Sequence, residues 1–420
     1  MVVLFFTALA HGAVEPWSIA IFELMLIAIL LLWGIKITVD RRLDVNIPPA
    51  ALPILALLLL GIVQSIAFTG GDGQRWSLSM DVEATRQTLT ILFFLAFAFI
   101  AASNFLVTRE RLLRLANALT IFGAALAAFA LVQHFAWNGS FYWLRPTTQS
   151  VFGPFVNRNH FAGYMAMLMP VPLALILHVV RGHGRLLFGF AAALMGTAAI
   201  VSNSRSGVIS LAGSMVFMMI LNTVCRNRDI AGGHRPPLQR TIGPIALVAL
   251  AVIAGVLWIG ASEILEHFGD AVDQLVQSGT PDVGRATIWQ GTLNAIRHHP
   301  VLGVGLGALV TVFPTYETVP SLLRINYAHN DYLQILAEAG AAGGIIVVWF
   351  IAVVLFGVYR GIRSRDPLPA AMALASGAGI IAILIQSVAE TDLQIPSNAL
   401  LFLVLAAVAS RIQEPEAALL

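Results

Sequence analysis

The chain has 420 residues, of which 58% are hydrophobic and only 11% charged, with a mean hydropathy of +0.84. Soluble domains carry about 25% charged residues, and a water-soluble fold of this length cannot bury so much apolar surface, which excludes a soluble cytosolic enzyme and a disordered chain. The net charge of +2 gives no basic field for a nucleic-acid partner, and a single cysteine, Cys225, excludes a disulfide framework or a cysteine-based metal cluster.

A transmembrane helix needs about 20 mostly apolar residues. In chain order the segments that qualify are 17–38, 49–68, 87–106, 112–134, 160–180, 186–202, 206–224, 242–260, 335–358, 370–389 and 396–412. The opening run Val2 to Ala10 is shorter. Ala8-Leu9-Ala10 resembles a signal-peptide cleavage site, but the run lacks the basic residues that open such a peptide. It reads as a short first helix, which makes the chain an all-α polytopic membrane protein of about 12 spans. Three parts follow: N-terminal membrane helices over 1–260, a long loop over 261–328, and C-terminal membrane helices over 329–420.

The basic residues orient the chain, because loops rich in arginine and lysine stay cytoplasmic. Lys36 is the only lysine among the 24. With both termini cytoplasmic, sixteen basic residues fall in inside loops and eight outside, among them Arg158, Arg205, Arg285, Arg297 and Arg324.

The outside segment 261–328 is too long for a plain connector, and such loops are usually functional. Leu265, Phe268, Val272, Leu275 and Val276 recur at helical spacing. Thr280-Pro281 supplies a cap and a first-turn proline. A second amphipathic helix carries Ile288, Trp289, Leu293 and Ile296 and ends at His298-His299-Pro300.

Polar residues with chemical potential gather on this same side. Asn203-Ser204-Arg205-Ser206-Gly207 splits two apolar runs. An arginine at a helix centre costs roughly 2.5–3.5 kcal/mol, so Arg205 is either a snorkelling turn residue or an anion site. Arg285 opens a helix, where the dipole disfavours a cation unless an anion joins it. Gly303-Val304-Gly305-Leu306-Gly307 lacks the Gly-Lys-Ser/Thr ending of a phosphate loop; its glycines suit a tight turn and close packing. In Tyr327-Ala328-His329-Asn330-Asp331-Tyr332-Leu333-Gln334, His329 is a candidate general base, with Asp331 and Glu338 either orienting it or solvating the interface. Gly153 to His160 and Glu390 to Pro396 are two further polar clusters at the same level. No His-Glu-x-x-His pattern or acidic pair at metal spacing appears, which disfavours metal catalysis. The aromatics Phe135, Trp137, Phe141, Tyr142 and Trp143 suit an interfacial belt.

Four motifs in order resemble the O-antigen ligase/polymerase superfamily of bacterial envelope glycosyltransferases. They are Gly153-Pro154-Phe155 with Asn157 and Asn159; Ser204-Arg205-Ser206-Gly207; Gly284-Arg285 through Ile288-Trp289 to His299-Pro300-Val301-Leu302-Gly303-Val304-Gly305 and Tyr316; and Ala328 to Gln334 with Glu338, Gly340 and Gly343. The resemblance implies a GT-C-like enzyme of the inner membrane, with its active site and the 261–328 loop facing the periplasm. It implies an undecaprenyl-diphosphate-linked glycan donor and no cofactor or metal. Arg205 and Arg285 would hold the diphosphate and His329 would act as base in an inverting transfer. Arg158, Asn157, Asn159, Arg297, Arg324, Asn330 and Tyr332 are the expected substrate-binding residues. The acceptor would be lipid A–core in a ligase, the reading preferred here, or a second lipid-linked glycan in an O-antigen or exopolysaccharide polymerase. A lipid-linked-sugar flippase or transporter is the rival outside enzymology; it suits the sequence less well, because no internal repeat is visible and Glu23 is the main mid-span acid.

Overall fold

A computed structural model describes residues 1–42, 44–69, 75–147, 151–228, 285–317 and 324–411. The expected span 242–260, the amphipathic segment 265–276, Thr280-Pro281 and Gly284 lie outside these.

The chain is an all-α polytopic membrane protein. Its helices are α1 (Val2–Leu9), α2 (Pro16–Asp40), α3 (Ala51–Ser65), α4 (Val82–Phe105), α5 (Arg109–Phe135), α6 (Arg158–Leu168), α7 (Pro170–His178), α8 (Gly184–Val201), α9 (Arg205–Arg228), α10 (Arg285–His298), α11 (Leu309–Tyr316), α12 (Asp331–Ile362), α13 (Pro367–Gln386) and α14 (Pro396–Arg411). Among the described residues, eight helical segments are long and apolar enough to cross a membrane, and α3 and α14 are shorter apolar helices. At 1.5 Å per residue, α1 is about 12 Å long, far short of the ~30 Å hydrocarbon core. Two small ladders, Ala67–Thr69 with Arg75–Ser77 and Ser140–Phe141 with Arg145–Pro146, are the strands present in the described residues.

Local chemistry sets the helix starts. Asp81 accepts from the Ala84 N–H, Thr108 from Arg111 and Asp366 from Leu368, each satisfying an amide that the first turn leaves without a partner. Pro170 cannot donate to the preceding turn, and the helix that begins at Arg158 is divided there.

Burial separates centre from rim. In the 158–178 segment 94% of the most apolar window is buried, against 17% in α2. Every residue of α14 from Pro396 to Ser410 is buried. Leu31, Leu32 and Ile35 of α2 are exposed, as lipid-facing residues are.

The loops that the arginine distribution puts on one side meet at one end of the bundle. Met80 N–H donates to Val304 O (2.8 Å), Ser397 N–H to Gly12 O (3.2 Å), and the Thr311 hydroxyl to Asp81 Oδ2 (2.7 Å). At the other end Asn104 bonds Asn46 O (2.9 Å) and Arg109 pairs with Asp366 (3.5 Å).

The glycine-rich run seats on a break in α12. Gly340 leaves the helical region (φ 62°, ψ −160°), so carbonyls of the preceding turn and amides of the next lose their helical partners. Ala337 O and Glu338 O accept from Val304 N–H (2.8 Å) and Gly305 N–H (3.0 Å), while Ala341 and Ala342 N–H donate to Pro300 O and Val301 O (2.9 and 3.1 Å). A Cβ on Gly340 would lie 2.3 Å from the Val301 carbonyl carbon, and one on Gly303 2.3 Å from that of Glu338. Both residues have positive φ, so glycine is required twice over. The turn-and-packing expectation for this run agrees with the structure.

Candidate functional site

The start of α12 builds the first half of the site. Asn330 caps it: Oδ1 accepts from Tyr332 and Leu333 N–H (2.9 and 3.0 Å), and Nδ2 donates to Val388 O (2.8 Å). That side chain is committed to the backbone. His329 before it takes a left-handed φ of 50°, a conformation uncommon outside glycine but one in which histidine, like Asn and Asp, is enriched. Its side chain is 38% exposed.

The second half comes from α10. Arg285 and Trp289 are four residues apart and share a helix face. Trp289 Nε1–H donates to Ala328 O at 3.0 Å, which ties α10 to the residue beside His329. Arg285 then reaches the same place from the helix start.

Both side chains point at Glu390, whose side chain is fully buried. The Arg285 guanidinium donates directly to Glu390 Oε1, and Asn159 Nδ2–H donates to the same oxygen at 2.6 Å. His329 Nδ1 faces Glu390 Oε2 at 3.6 Å. Neither of these two buried atoms has a hydrogen-bond partner. The backbone holds Glu390 in place, because Asp331 N–H donates to Ser387 O (2.9 Å) and Glu390 O (3.2 Å).

Asp331 and Glu338, the carboxylates the sequence offered to His329, serve elsewhere. Asp331 Oδ2 accepts from the Ser387 hydroxyl (2.7 Å) and Leu393 N–H (3.3 Å). Glu338 accepts from Gln334 Nε2–H (2.7 Å) and from the backbone of Gly307 and Leu309, which supports the glycine-rich run.

Beside Glu390 lies a second pair. His160 Nδ1 is 2.8 Å from Asp392 Oδ1, which also accepts from Asn398 Nδ2–H (3.1 Å). Burial pushes the Asp392 carboxyl above the ordinary range, and the adjacent His160 acts in the opposite sense. Asn157 caps α6 by accepting from Asn159 N–H (2.8 Å). Arg158 is partly buried in the first turn.

Arg205 opens α9 and is exposed. Ser204 Oγ accepts from Gly207 N–H (3.1 Å) and fixes the turn. A Cβ on Gly207 would stand 2.4 Å from Ala162 Cβ, so glycine lets α9 lie against α6. Ser210 Oγ–H donates to Gln386 Oε1 (3.1 Å), and Gln386 Nε2–H to Asn159 O (2.7 Å). The Arg205 turn is thus two side chains away from the residue that holds Glu390. Arg297 sits elsewhere: it is exposed at the far end of α10, about 18 Å along the axis from Arg285, and bonds Asn294.

A cavity of about 470 Å³ adjoins the cluster. Arg324, Tyr327, Asp331, Gln334 and Glu338 line its polar part, and Leu57, Leu95, Phe350 and Phe402 its apolar part. Tyr332 also lines it and donates its hydroxyl to Leu384 O (2.7 Å).

The sequence alone places Glu390, Asp392 and His160 only in polar clusters and does not single them out as site residues. The available signal was the one used for Arg205. Two carboxylates between apolar spans carry a desolvation cost that needs partners.

A helical membrane protein with a buried carboxylate gathering an arginine and a histidine at one end is the class that fold and site define. Residues 190–348 match a model of the O-antigen ligase family. Over this segment the chain is similar to the O-antigen ligase family, in line with the superfamily its motifs resemble. The chain is also 24% identical over 258 residues to the exopolysaccharide production protein ExoQ of Rhizobium meliloti (strain 1021). That match covers 59% of this chain, and the chain spans about half, 55%, of the relative.

Proposed function

We propose that the protein is a glycosyltransferase that moves a glycan from an undecaprenyl-diphosphate donor to an acceptor hydroxyl at the periplasmic face of the inner membrane. The observation that carries this reading is the convergence of Arg285 and His329 on Glu390. Arg285 and its neighbourhood fall in the segment that matches the O-antigen ligase family.

The chemistry follows from the groups. A guanidinium remains charged and binds phosphate oxygens with paired N–H donors. A neutral imidazole takes a proton from a hydroxyl. His329 Nδ1 faces Glu390, which leaves Nε2 to accept the acceptor's proton. The acceptor oxygen bonds to the donor's anomeric carbon, and the bond from that carbon to the diphosphate oxygen breaks. Its electron pair departs with the lipid diphosphate, whose charge Arg285 and Arg205 stabilise. Attack opposite the leaving group inverts the anomeric centre. Positive charge comes from arginine in this scheme, so a chelator leaves the rate unchanged; activity lost to chelator and restored by a divalent ion contradicts it.

The adjoining cavity supports a lipid-borne substrate, since it joins an apolar lining to Arg324 and Tyr332. Arg158, Asn157, Asn159 and Asn330 shape the site around the glycan, and Arg297 contacts its distal part.

Ligation to lipid A–core is the first reading. Similarity to an exopolysaccharide production protein favours a second, joining of one lipid-linked unit to another. Purified protein in lipid vesicles is given undecaprenyl-diphosphate glycan with either lipid A–core or a second lipid-linked unit. Consumption of lipid A–core supports ligation, and chain growth on the lipid-linked unit supports polymerisation. Consumption of neither acceptor contradicts the proposed activity.

A further inference from the structure

We infer that Glu390 is a positioning residue that changes partners: paired here with Arg285, it moves onto His329 when a diphosphate takes Arg285. The inference rests on the glycosyl-transfer reading for its role in catalysis, but the exchange itself is a statement about three side chains.

Three observations carry it. Glu390 Oε1 already accepts from both Arg285 and Asn159. The other oxygen, Oε2, is buried, has no hydrogen-bond partner, and faces a buried His329 Nδ1 that also has none. They stand 3.6 Å apart, just beyond hydrogen-bond length. Two polar atoms buried face to face without bonding are costly, and a small rotation of the carboxylate would join them. The direct pair with Arg285 opposes that rotation. Arg285 is 46% exposed while Glu390 is fully buried, so an incoming anion reaches the guanidinium without first displacing the carboxylate from its pocket.

Release of Arg285 therefore has a defined consequence. A carboxylate on Nδ1 fixes the tautomer with Nε2 free to accept a proton, and it stabilises the imidazolium that forms. The base is oriented only when donor is bound, which limits proton uptake by a site that holds no donor. Other charged groups around His329 keep their own partners: Asp331 is held by Ser387 and Leu393, and His160 and Asp392 are held by each other. None of these replaces Glu390 on Nδ1.

The experiment compares wild type with Glu390→Gln in lipid nanodiscs. The first arm is calorimetric binding of inorganic pyrophosphate, with no glycan present. Removing the competing charge is expected to tighten binding at least fivefold; equal or weaker binding by the variant overturns the exchange. The second arm is the pH dependence of transfer. In wild type the acidic limb of kcat, which reports the donor complex, should lie at higher pH than that of kcat/KM, which reports the free enzyme. Glu390→Gln should lose that offset, with lower kcat and lower donor KM. Coincident limbs in wild type overturn the inference even if the variant fails to fold. A purely structural Glu390 would change neither the offset nor the pyrophosphate affinity in this direction. If wild type transfers no glycan while the pyrophosphate arm behaves as expected, the activity reading fails and the exchange stands.

Discussion

At the scale of single residues the site depends on one buried carboxylate with three neighbours. Glu390 is fully buried, and Arg285 and Asn159 supply its hydrogen bonds. Arg285→Ala should therefore do two things. It should lower stability by about 1–3 kcal/mol, because the buried Glu390 charge loses its cationic partner even when Oε2 turns to His329, and it should abolish transfer. The double variant Arg285→Ala/Glu390→Gln should regain thermal stability in detergent without regaining transfer. If the double variant is as unstable as the single one, the uncompensated Glu390 charge is not the cause of the loss. Asp81 gives a pH test. Its carboxyl is held below the ordinary range, first by the Ala84 N–H and then by the Thr311 hydroxyl. Its contribution is thus present above about pH 4 and lost as pH falls through the lowered value. The thermal midpoints of wild type and Asp81→Asn should differ at pH 7 and converge as pH falls below the ordinary carboxylate range. A gap that widens on acidification would contradict the sign.

At the scale of elements, close approach decides where the arginines sit. Gly207 lets α9 lie against α6, with Ala162 Cβ only 2.4 Å from where its own Cβ would be. Gly207→Ala should push the Arg205 turn from Asn159 and reduce transfer about tenfold or more, as sub-ångström displacements in active sites do. Ala162→Gly in the same chain should restore much of the loss. Failure of that rescue would show that Arg205 does not depend on this contact. Helices were the legible part of the sequence, because twenty-residue apolar runs are local signals. The second amphipathic helix ending at His298-His299-Pro300 matches α10. What was not legible was pairing across the chain. Nothing in the 387–395 segment announces that Glu390 meets Asn159, 231 positions away. Equally, Asp331 and Glu338 looked like partners for His329 because they are close in sequence. Asp331 instead bonds a loop 56 positions away, and Glu338 supports the glycine-rich run.

At the scale of the whole molecule, charge scarcity is the organising fact. Only 11% of residues are charged, and the sequence divides the basic ones into sixteen expected inside and eight expected outside. Among the described residues, loops expected outside meet at one end and loops expected inside meet at the other. This partition makes a topology prediction. With Cys225 replaced by serine, a cysteine introduced at Asn203 or Pro300 should react with a membrane-impermeant thiol reagent applied to the periplasmic side, and one at Ser364 should not. The reverse pattern would invert the orientation. The same gathering puts Arg285 and His329 on one carboxylate and leaves Arg297 at the far end of its helix, a separation that equal chemistry and equal membrane side cannot reveal from sequence.

The proposed transfer of a lipid-linked glycan at this end of the bundle turns on His329 as base. The most direct measurement is release of lipid diphosphate from undecaprenyl-diphosphate glycan by the purified protein and by His329→Ala, with acceptor present and donor binding measured in parallel. His329→Ala should lower release about 10²–10⁴-fold, as loss of a general base gives, with donor binding retained and the variant folded in the membrane. Release at the wild-type rate by His329→Ala would contradict it.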